Sequence, residues 1–245
     1  MVAAVEREIS SAQCVIFDFD GPLCHLFARR TAASVADRLR EAYATAPDGT
    51  PRTWPETTDP LRLLTAAFEG AAPLPQESAL RMEHSLSLEE VAAAEVAFPT
   101  GYADTLVRTL RATGRTVAVA TDNCADAVER YLAKRSLLEA FSVEGRPSGA
   151  PGRVCGRVCD SAGPRLKPDP DCVLRALEST GADAAKTVMI GDSARDVAAA
   201  HAAGVGFVGY ARNERKGREL HGAGAEWVVP SLREVLLTVD PLAHV

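Results

Sequence analysis

Short apolar runs punctuate this chain at wide intervals without alternating with polar residues. Cys14–Phe19, centred on Val15, Ile16 and Phe17, is the first, and Thr116–Ala120, Thr187–Ile190, Val205–Val208 and Trp227–Val229 follow. Strands read this way when helices cover both faces of their sheet. Between these runs the apolar period becomes helical. Tyr102–Arg111 sets Leu106, Val107 and Leu110 on one face and stops at Gly114. Further helices are expected at Ala125–Leu132, Asp169–Leu177, Ala194–Ala202 and Leu232–Leu237, with Asp169 as a cap, Pro170 at a first helical position and Gly204 as a stop. The alternation predicts an α/β fold: a Rossmann-like, mostly parallel sheet sandwiched by helices. Right-handed crossovers bring the strand C-termini to one edge, where open α/β sheets bind ligands.

The stretch from Cys24 to Phe98 breaks the rhythm. Helices are expected at Thr31–Tyr43, Asp59–Phe68 and Leu74–Val96, parted by loops that carry Pro47, Pro51, Pro55 and Pro60, then Pro73 and Pro75, with no strand. It reads as a smaller all-helical domain, residues 24–98, inserted into a core of residues 1–23 and 99–245. Glu144–Pro168, rich in Gly, Pro and Arg, reads as an irregular excursion in which Arg153–Cys159 forms a short strand or hairpin.

Composition narrows the classes. The chain has 245 residues, 47% of them hydrophobic, which is enough for a buried core. Acidic residues number 33 against 27 basic ones, a net charge of −6 with no long basic run, so neither nucleic acid nor an anionic membrane is an expected partner. No run approaches the roughly 20 apolar residues of a bilayer span. Met1–Ser10, with Glu6 and Glu8, lacks a signal-peptide stretch, so a cytoplasmic location is expected. Cys14, Cys24, Cys124, Cys155, Cys159 and Cys172 are then thiols, and Cys155 and Cys159 lack the second pair of a zinc site.

Four constellations carry candidate chemistry. Asp18 and Asp20 end the first strand on one side, where two carboxylates repel unless a cation such as Mg²⁺ shares them; an acidic turn looks the same. Asp192 and Asp196, around Ser193 at the end of the third strand, straddle a helix's first turn, where they also suit its dipole. Thr121, Asp122 and Asn123 follow the second strand and offer a hydroxyl and a turn of N–H groups for an anion, or simply a good cap. Lys167, one of four lysines, precedes a Pro-Asp-Pro helix start. Each is ordinary alone. Together they fall on one edge of one predicted sheet and supply a nucleophile, carboxylates for a metal, a hydroxyl and a cation, the inventory for attack on a phosphate.

Phe17-Asp18-Phe19-Asp20-Gly21, Thr121, Leu166-Lys167-Pro168-Asp169-Pro170 and Gly191-Asp192-Ser193 through Asp196 resemble, in order and spacing, the four motifs of the haloacid dehalogenase-like superfamily, across nearly the whole chain. The resemblance implies that Asp18 attacks phosphorus to form an aspartyl-phosphate and that Asp20 serves as acid, then base. It implies phosphate binding by Thr121, Asp122, Asn123 and Lys167, and Mg²⁺ held by Asp18, Asp20 (through its carbonyl), Asp192 and Asp196. The insert becomes a helical cap, hinged near Gly21–His25 and Pro99–Gly101. Pro22, where the family usually has Thr or Val, stiffens the flap.

The implied activity is Mg²⁺-dependent hydrolysis of a small phosphorylated metabolite, in the manner of the phosphoglycolate phosphatases. A phosphomutase of the β-phosphoglucomutase type uses the same aspartates and stays open, as does a non-catalytic binding protein on this fold. Asp20 argues against the dehalogenase branch, and the lack of lysine between Asp20 and Pro99 against Schiff-base phosphonate chemistry. The cap arginines Arg29, Arg30, Arg38, Arg52, Arg62 and Arg81 are candidates for a second anionic group on the substrate, and His25 for the leaving group. Monomer and homodimer are both compatible with the sequence.

Overall fold

A computed structural model describes residues 9–45, 49–143 and 152–240. The core opens with β1 (Cys14–Phe17) and β2 (Cys24–His25). The insert follows as α1 (Ala32–Ala42), α2 (Pro60–Glu69) and α3 (Gln76–Ala94). The chain returns through β3 (Phe98–Pro99), α4 (Ala103–Ala112), β4 (Thr116–Ala120), α5 (Ala125–Lys134), β5 (Val154–Cys155), β6 (Val158–Asp160) and β7 (Gly163–Arg165). It ends with α6 (Asp171–Thr180), β8 (Thr187–Gly191), α7 (Ala194–Ala202), β9 (Gly206–Tyr210), α8 (Glu214–Gly222), β10 (Trp227–Val229) and α9 (Leu232–Val239).

The main sheet is parallel, in the order β10-β9-β8-β1-β4-β5, with β1 at its centre between β8 and β4. Period two sends successive side chains to opposite faces. Val15, Phe17, Val117, Val119, Val188 and Ile190 pack under α4, α5 and α9, whereas Cys14, Ile16, Ala118, Ala120 and Met189 pack under α6 and α7. Both faces are covered, which is why the strands show no polar alternation.

The cap has its own apolar centre of Val35, Leu39, Leu63, Leu64, Met82 and Leu86, among others. Its two connections run side by side as an antiparallel ribbon, Cys24 paired with Pro99 and His25 with Phe98. The helix α3 is one continuous rod. Its first turns serve the cap cluster, while Ala93 and Ala94 are buried in the core cluster.

Several expectations need correction. The helix α6 starts at Asp171, two residues late, because Asp169 Oδ1 accepts from the Asp171 N–H at 2.9 Å and Pro170 stands at the cap position. Of the excursion, residues 144–151 lie outside the described residues. Where a short strand or a hairpin was expected over Arg153–Cys159 there are both, and the hairpin runs further: Val154–Cys155 joins the main sheet beside β4, and β6 and β7 make a hairpin that ends at Arg165. The helix α8 had no counterpart in the apolar pattern, since only its Leu220 is buried. The six cysteines are free thiols, and among the described residues no helix is long and apolar enough to cross a membrane.

Candidate active site

Three parallel strands deliver the site. β1 runs into Asp18, whose N–H donates to the Ile190 carbonyl at 2.9 Å and so keeps the chain in register with β8 for one residue more. β4 ends at Thr121 and β8 at Gly191, so the side chains that follow all emerge at the same edge. There they line a cavity of about 720 Å³, with Asp18, Asp20, Thr121, Asn123, Lys167 and Asp192 on its core side.

Lys167 is the centre of the arrangement. Its Nζ donates to Asp18 Oδ1 at 2.8 Å, to Asp196 Oδ1 at 2.5 Å and to the Ala120 carbonyl at 3.3 Å. Its backbone N–H donates to Asp122 Oδ1 at 2.8 Å, so Asp122 holds the lysine in place by its main chain. The residue is 4% exposed, and an ammonium so buried needs these carboxylates to stay charged. Burial alone would depress it, but Asp18, Asp196 and Asp122 raise it well above its ordinary value.

The carboxylates differ in environment. Burial pushes Asp18 up from 3.8 to about 8; Lys167 opposes this, while Asp196 and Asp192 add to it. Asp20 rises from 3.8 to about 6, again by burial, although its Oδ1 accepts the Leu26 N–H at 2.9 Å. Asp196 moves down: burial is outweighed by the charge and hydrogen bond of Lys167 and by the bonds from Ser193. It also closes a capping box on α7, its Oδ2 accepting from the Ser193 N–H at 2.9 Å and hydroxyl at 2.7 Å.

Gly21 makes the flap after Asp20 possible. Its φ is +121°, and a Cβ there would lie 2.7 Å from Asp192 Cγ. Any side chain would push the first-motif and fourth-motif edges apart. The Thr100 hydroxyl donates to the Gly21 carbonyl at 2.5 Å, joining the outgoing connection of the cap to the returning one.

Asp18, Asp192 and Asp196 bring one carboxylate oxygen each to within 4.8 Å of the others. Such hard oxygen donors in one place, each of them buried or half-buried, fit a divalent cation of the Mg²⁺ type. The Asp20 side chain stands outside this group of three.

Thr121, Asp122 and Asn123 form the turn after β4 and line the cavity. Thr121 Oγ1 accepts the Asn123 N–H at 3.2 Å, so the hydroxyl and the turn are mutually oriented. His25 lines the cavity from the ribbon, its imidazole held below its ordinary pKa by burial and by Arg212. Arg29 and Arg52 do not line it. The Arg29 guanidinium lies 4.6 Å over the Phe98 ring, and Arg52 donates to the Ala72 carbonyl at 2.8 Å, tying two cap loops together.

Other residues reach the cavity unannounced: Glu90, Arg195, Arg212 and Lys216. Lys216 Nζ donates to the Asp192 carbonyl at 2.7 Å and lies 3.2 Å from its Oδ2. The available signal for Lys216 was its place in the segment after a strand, beyond the cap Asn213, which accepts the Lys216 N–H at 3.0 Å.

Residues 12–204 match the model of the haloacid dehalogenase-like hydrolases. The chain belongs to that family. Among haloacid dehalogenase-like relatives, it is 37% identical over 73 residues to a probable phosphoglycolate phosphatase of Pseudomonas putida, covering 30% of this chain and 29% of that one. It is 44% identical over 78 residues to a phosphoglycolate phosphatase of Thiobacillus denitrificans, covering 31% and 34%. These alignments therefore span about a third or less of either relative. Solved structures share the fold across the chain. A hydrolase from Pseudomonas syringae superposes with a TM-score of 0.65 at 20% identity, covering 94% of this chain and 99% of that one. CbbY from Rhodobacter sphaeroides in complex with phosphate superposes at 0.63 with 17% identity, covering 92% and 96%.

Proposed function

We propose that this protein is a Mg²⁺-dependent phosphomonoesterase that works through an aspartyl-phosphate on Asp18 and acts on a small phosphorylated metabolite. The observation that carries this reading is the grouping of Asp18, Asp192 and Asp196 with Lys167 on the floor of the cavity, Lys167 bonded to Asp18 and Asp196. A carboxylate is a weak nucleophile toward a dianion, so the site must first remove the repulsion. Lys167 supplies one positive charge. When bound by Asp18, Asp192 and Asp196, Mg²⁺ supplies two more, against the phosphate oxygens.

Thr121 and the Asn123 N–H, bonded to each other in the free site, turn to bind the phosphate oxygens. An Asp18 oxygen attacks phosphorus and the ester P–O bond breaks. The departing alkoxide takes the proton of Asp20, whose pKa near 6 leaves part of it protonated at neutral pH. Asp20, now a carboxylate, accepts a proton from water as that water attacks the phosphorus. Inorganic phosphate leaves and the Asp18 carboxylate is restored. The insert, residues 24–98, acts as the cap that faces the leaving group and limits bulk water. The names of the partial relatives support a short phosphorylated acid as one member of the test panel.

The test is phosphate release from a panel of small phosphomonoesters, with and without Mg²⁺, by wild-type protein and by Asp18→Asn. The expected result is Mg²⁺-dependent turnover that Asp18→Asn abolishes. Turnover that survives the substitution overturns Asp18 as nucleophile, and no turnover of any ester overturns the phosphatase reading.

A further inference from the structure

Glu90 lies in the middle of the core–cap boundary and is fully buried. It belongs to the apolar stripe of α3, on the same side as Ala79, Met82, Leu86 and Ala93. A glutamate there is costly unless paired. Its partner is Arg157, whose side chain is 0% exposed and which donates to Glu90 Oε1 at 3.0 Å and Oε2 at 3.2 Å. Arg157 also donates to Glu83 Oε1 at 3.0 Å and to the Asp122 carbonyl at 2.8 Å.

The remaining acceptor capacity of Glu90 points at the anion-binding turn. Asn123 Nδ2 donates to Oε1 at 2.9 Å, and the Cys124 N–H donates to Oε2 at 2.9 Å. The Arg157 N–H meanwhile donates to the Asn123 carbonyl at 2.8 Å. The backbone is pressed close here as well. A Cβ on Gly156 would lie 2.4 Å from the Ala125 nitrogen, so Gly156 alone lets the segment before Arg157 approach the start of α5. The turn is thus gripped from the cap side through Glu90 and from the sheet side through Arg157.

We infer that Glu90 and Arg157 are positioning residues: a buried clamp, reaching from the cap helix, that sets the phosphate-binding turn of residues 121–124. Neither residue is asked to touch the reacting atoms. Glu90 spends both oxygens on Arg157, Asn123 and Cys124, and Arg157 cancels a negative charge that would otherwise face an incoming phosphate. The clamp also explains why α3 is continuous with the core cluster at Ala93 and Ala94. The cap is joined to the site by a third connection besides the two chains of the ribbon. Its effect on turnover rests on the phosphatase reading, whereas its effect on the turn does not.

Two measurements separate these. Amide hydrogen exchange of residues 122–128 is compared in wild type, Glu90→Ala, Glu90→Gln and Arg157→Lys, with Glu83→Gln as control. In parallel, inorganic phosphate binding is measured by calorimetry with Mg²⁺ present, and kcat and KM are measured on the best ester of the panel. Glu90→Ala is expected to speed exchange at the turn selectively, to weaken phosphate binding and to lower kcat/KM by about 100-fold, the scale of an ångström of misplacement. Glu90→Gln keeps one acceptor and recovers part of the loss, and Glu83→Gln, half-buried on the side of Arg157 away from the turn, keeps its acceptor oxygen and changes phosphate binding by less than about three-fold. Unchanged exchange at the turn in a folded Glu90→Ala or Glu90→Gln protein overturns the clamp. Changed exchange in a protein whose wild type hydrolyses no ester upholds the clamp as a holder of the turn and overturns the phosphatase reading instead.

Discussion

The core side of the cavity presents Asp18, Asp20, Asp192, Asp196, Lys167 and Lys216, while the cap side presents Phe27, Ala28, Ala32, Asp59, Pro60 and Leu61. Apart from Asp20, the first set is linked side chain to side chain, and Lys167 reaches Asp18 over 149 residues of sequence. The second set is mostly apolar, and Asp59 accepts the Leu61 N–H at 2.9 Å as the cap of α2, while Glu90, also at the cavity, is turned to Arg157 and Asn123. The cap is nonetheless rich in arginine. Those side chains are engaged within the cap: Arg30 and Arg38 with Glu89 at 2.7 Å, Arg81 with Glu77 at 2.5 Å, and Arg40 with Asp37 at 2.8 Å. Charge on the core side gathers round Lys167 and Asp192, whereas the cap arginines are paired at the cap's own surface. On the proposed phosphatase reading, the phosphate faces the core and the carbon skeleton of the substrate faces the cap.

The harshest way to break this division is to remove charge from the core floor. Asp18→Asn takes away both the proposed nucleophile and one of the three clustered carboxylates. Turnover is expected to fall by at least about 10³-fold, as when other enzymes lose a nucleophile. The same variant should lose most of the thermal stabilisation that Mg²⁺ gives the wild type. Melting curves with and without the metal check this, and a full Mg²⁺ shift in Asp18→Asn would remove Asp18 from the metal site.

A milder probe uses pH. Asp18 and Asp20 are raised in the folded state to about 8 and about 6 from 3.8. The folded protein therefore binds more protons than the unfolded chain across this interval. Metal-free stability is expected to fall as pH rises from about 4 to about 8 through these two groups. Asp192 and Asp122, also raised by burial, push in the same direction, whereas Asp196, lowered, loses its contribution only at acid pH. Mg²⁺ competes with those protons. Its gain in Tm should be larger at pH 8 than at pH 5, and an equal gain at both would contradict binding by these carboxylates.

The two sides were also unequally legible in the sequence. Thr116–Ala120, Trp227–Val229 and Ala194–Ala202 fall where the apolar pattern put them, because burial on both sheet faces leaves an unbroken signature. Asp18 was legible from the edge rule for parallel strands, whereas Lys167, which follows the β6–β7 hairpin, was legible through the Leu166-Lys167-Pro168-Asp169-Pro170 motif. The hairpin β6–β7 and the two-residue β5 carry too few side chains for any period. Glu90 did leave a mark, a carboxylate in phase with the apolar stripe of α3, but its partner Arg157 lies 67 residues away and has no local sign. The cap arginines misled for a related reason. Composition shows that a region is rich in cations, and only the fold shows that Arg52 is turned to the Ala72 carbonyl and Arg29 to the Phe98 ring.

The smallest effects come from the cap arginines themselves, and they sharpen the comparison most. Arg52→Ala removes a bond between two cap loops and should lower Tm slightly, while kcat/KM stays within about two-fold of wild type for every ester. Arg29→Ala should behave likewise. The cavity cations that could meet a second anionic group lie on the core side, and of these Arg212 is the one whose charge acts on both Asp20 and His25. Arg212→Ala should therefore lower kcat/KM for a phosphorylated acid more than for an uncharged phosphomonoester of similar length. The ratio of the two values, measured in one preparation, cancels any loss of folded protein. If Arg52→Ala moves that ratio and Arg212→Ala does not, the cap reads charge after all and the division between the two sides fails.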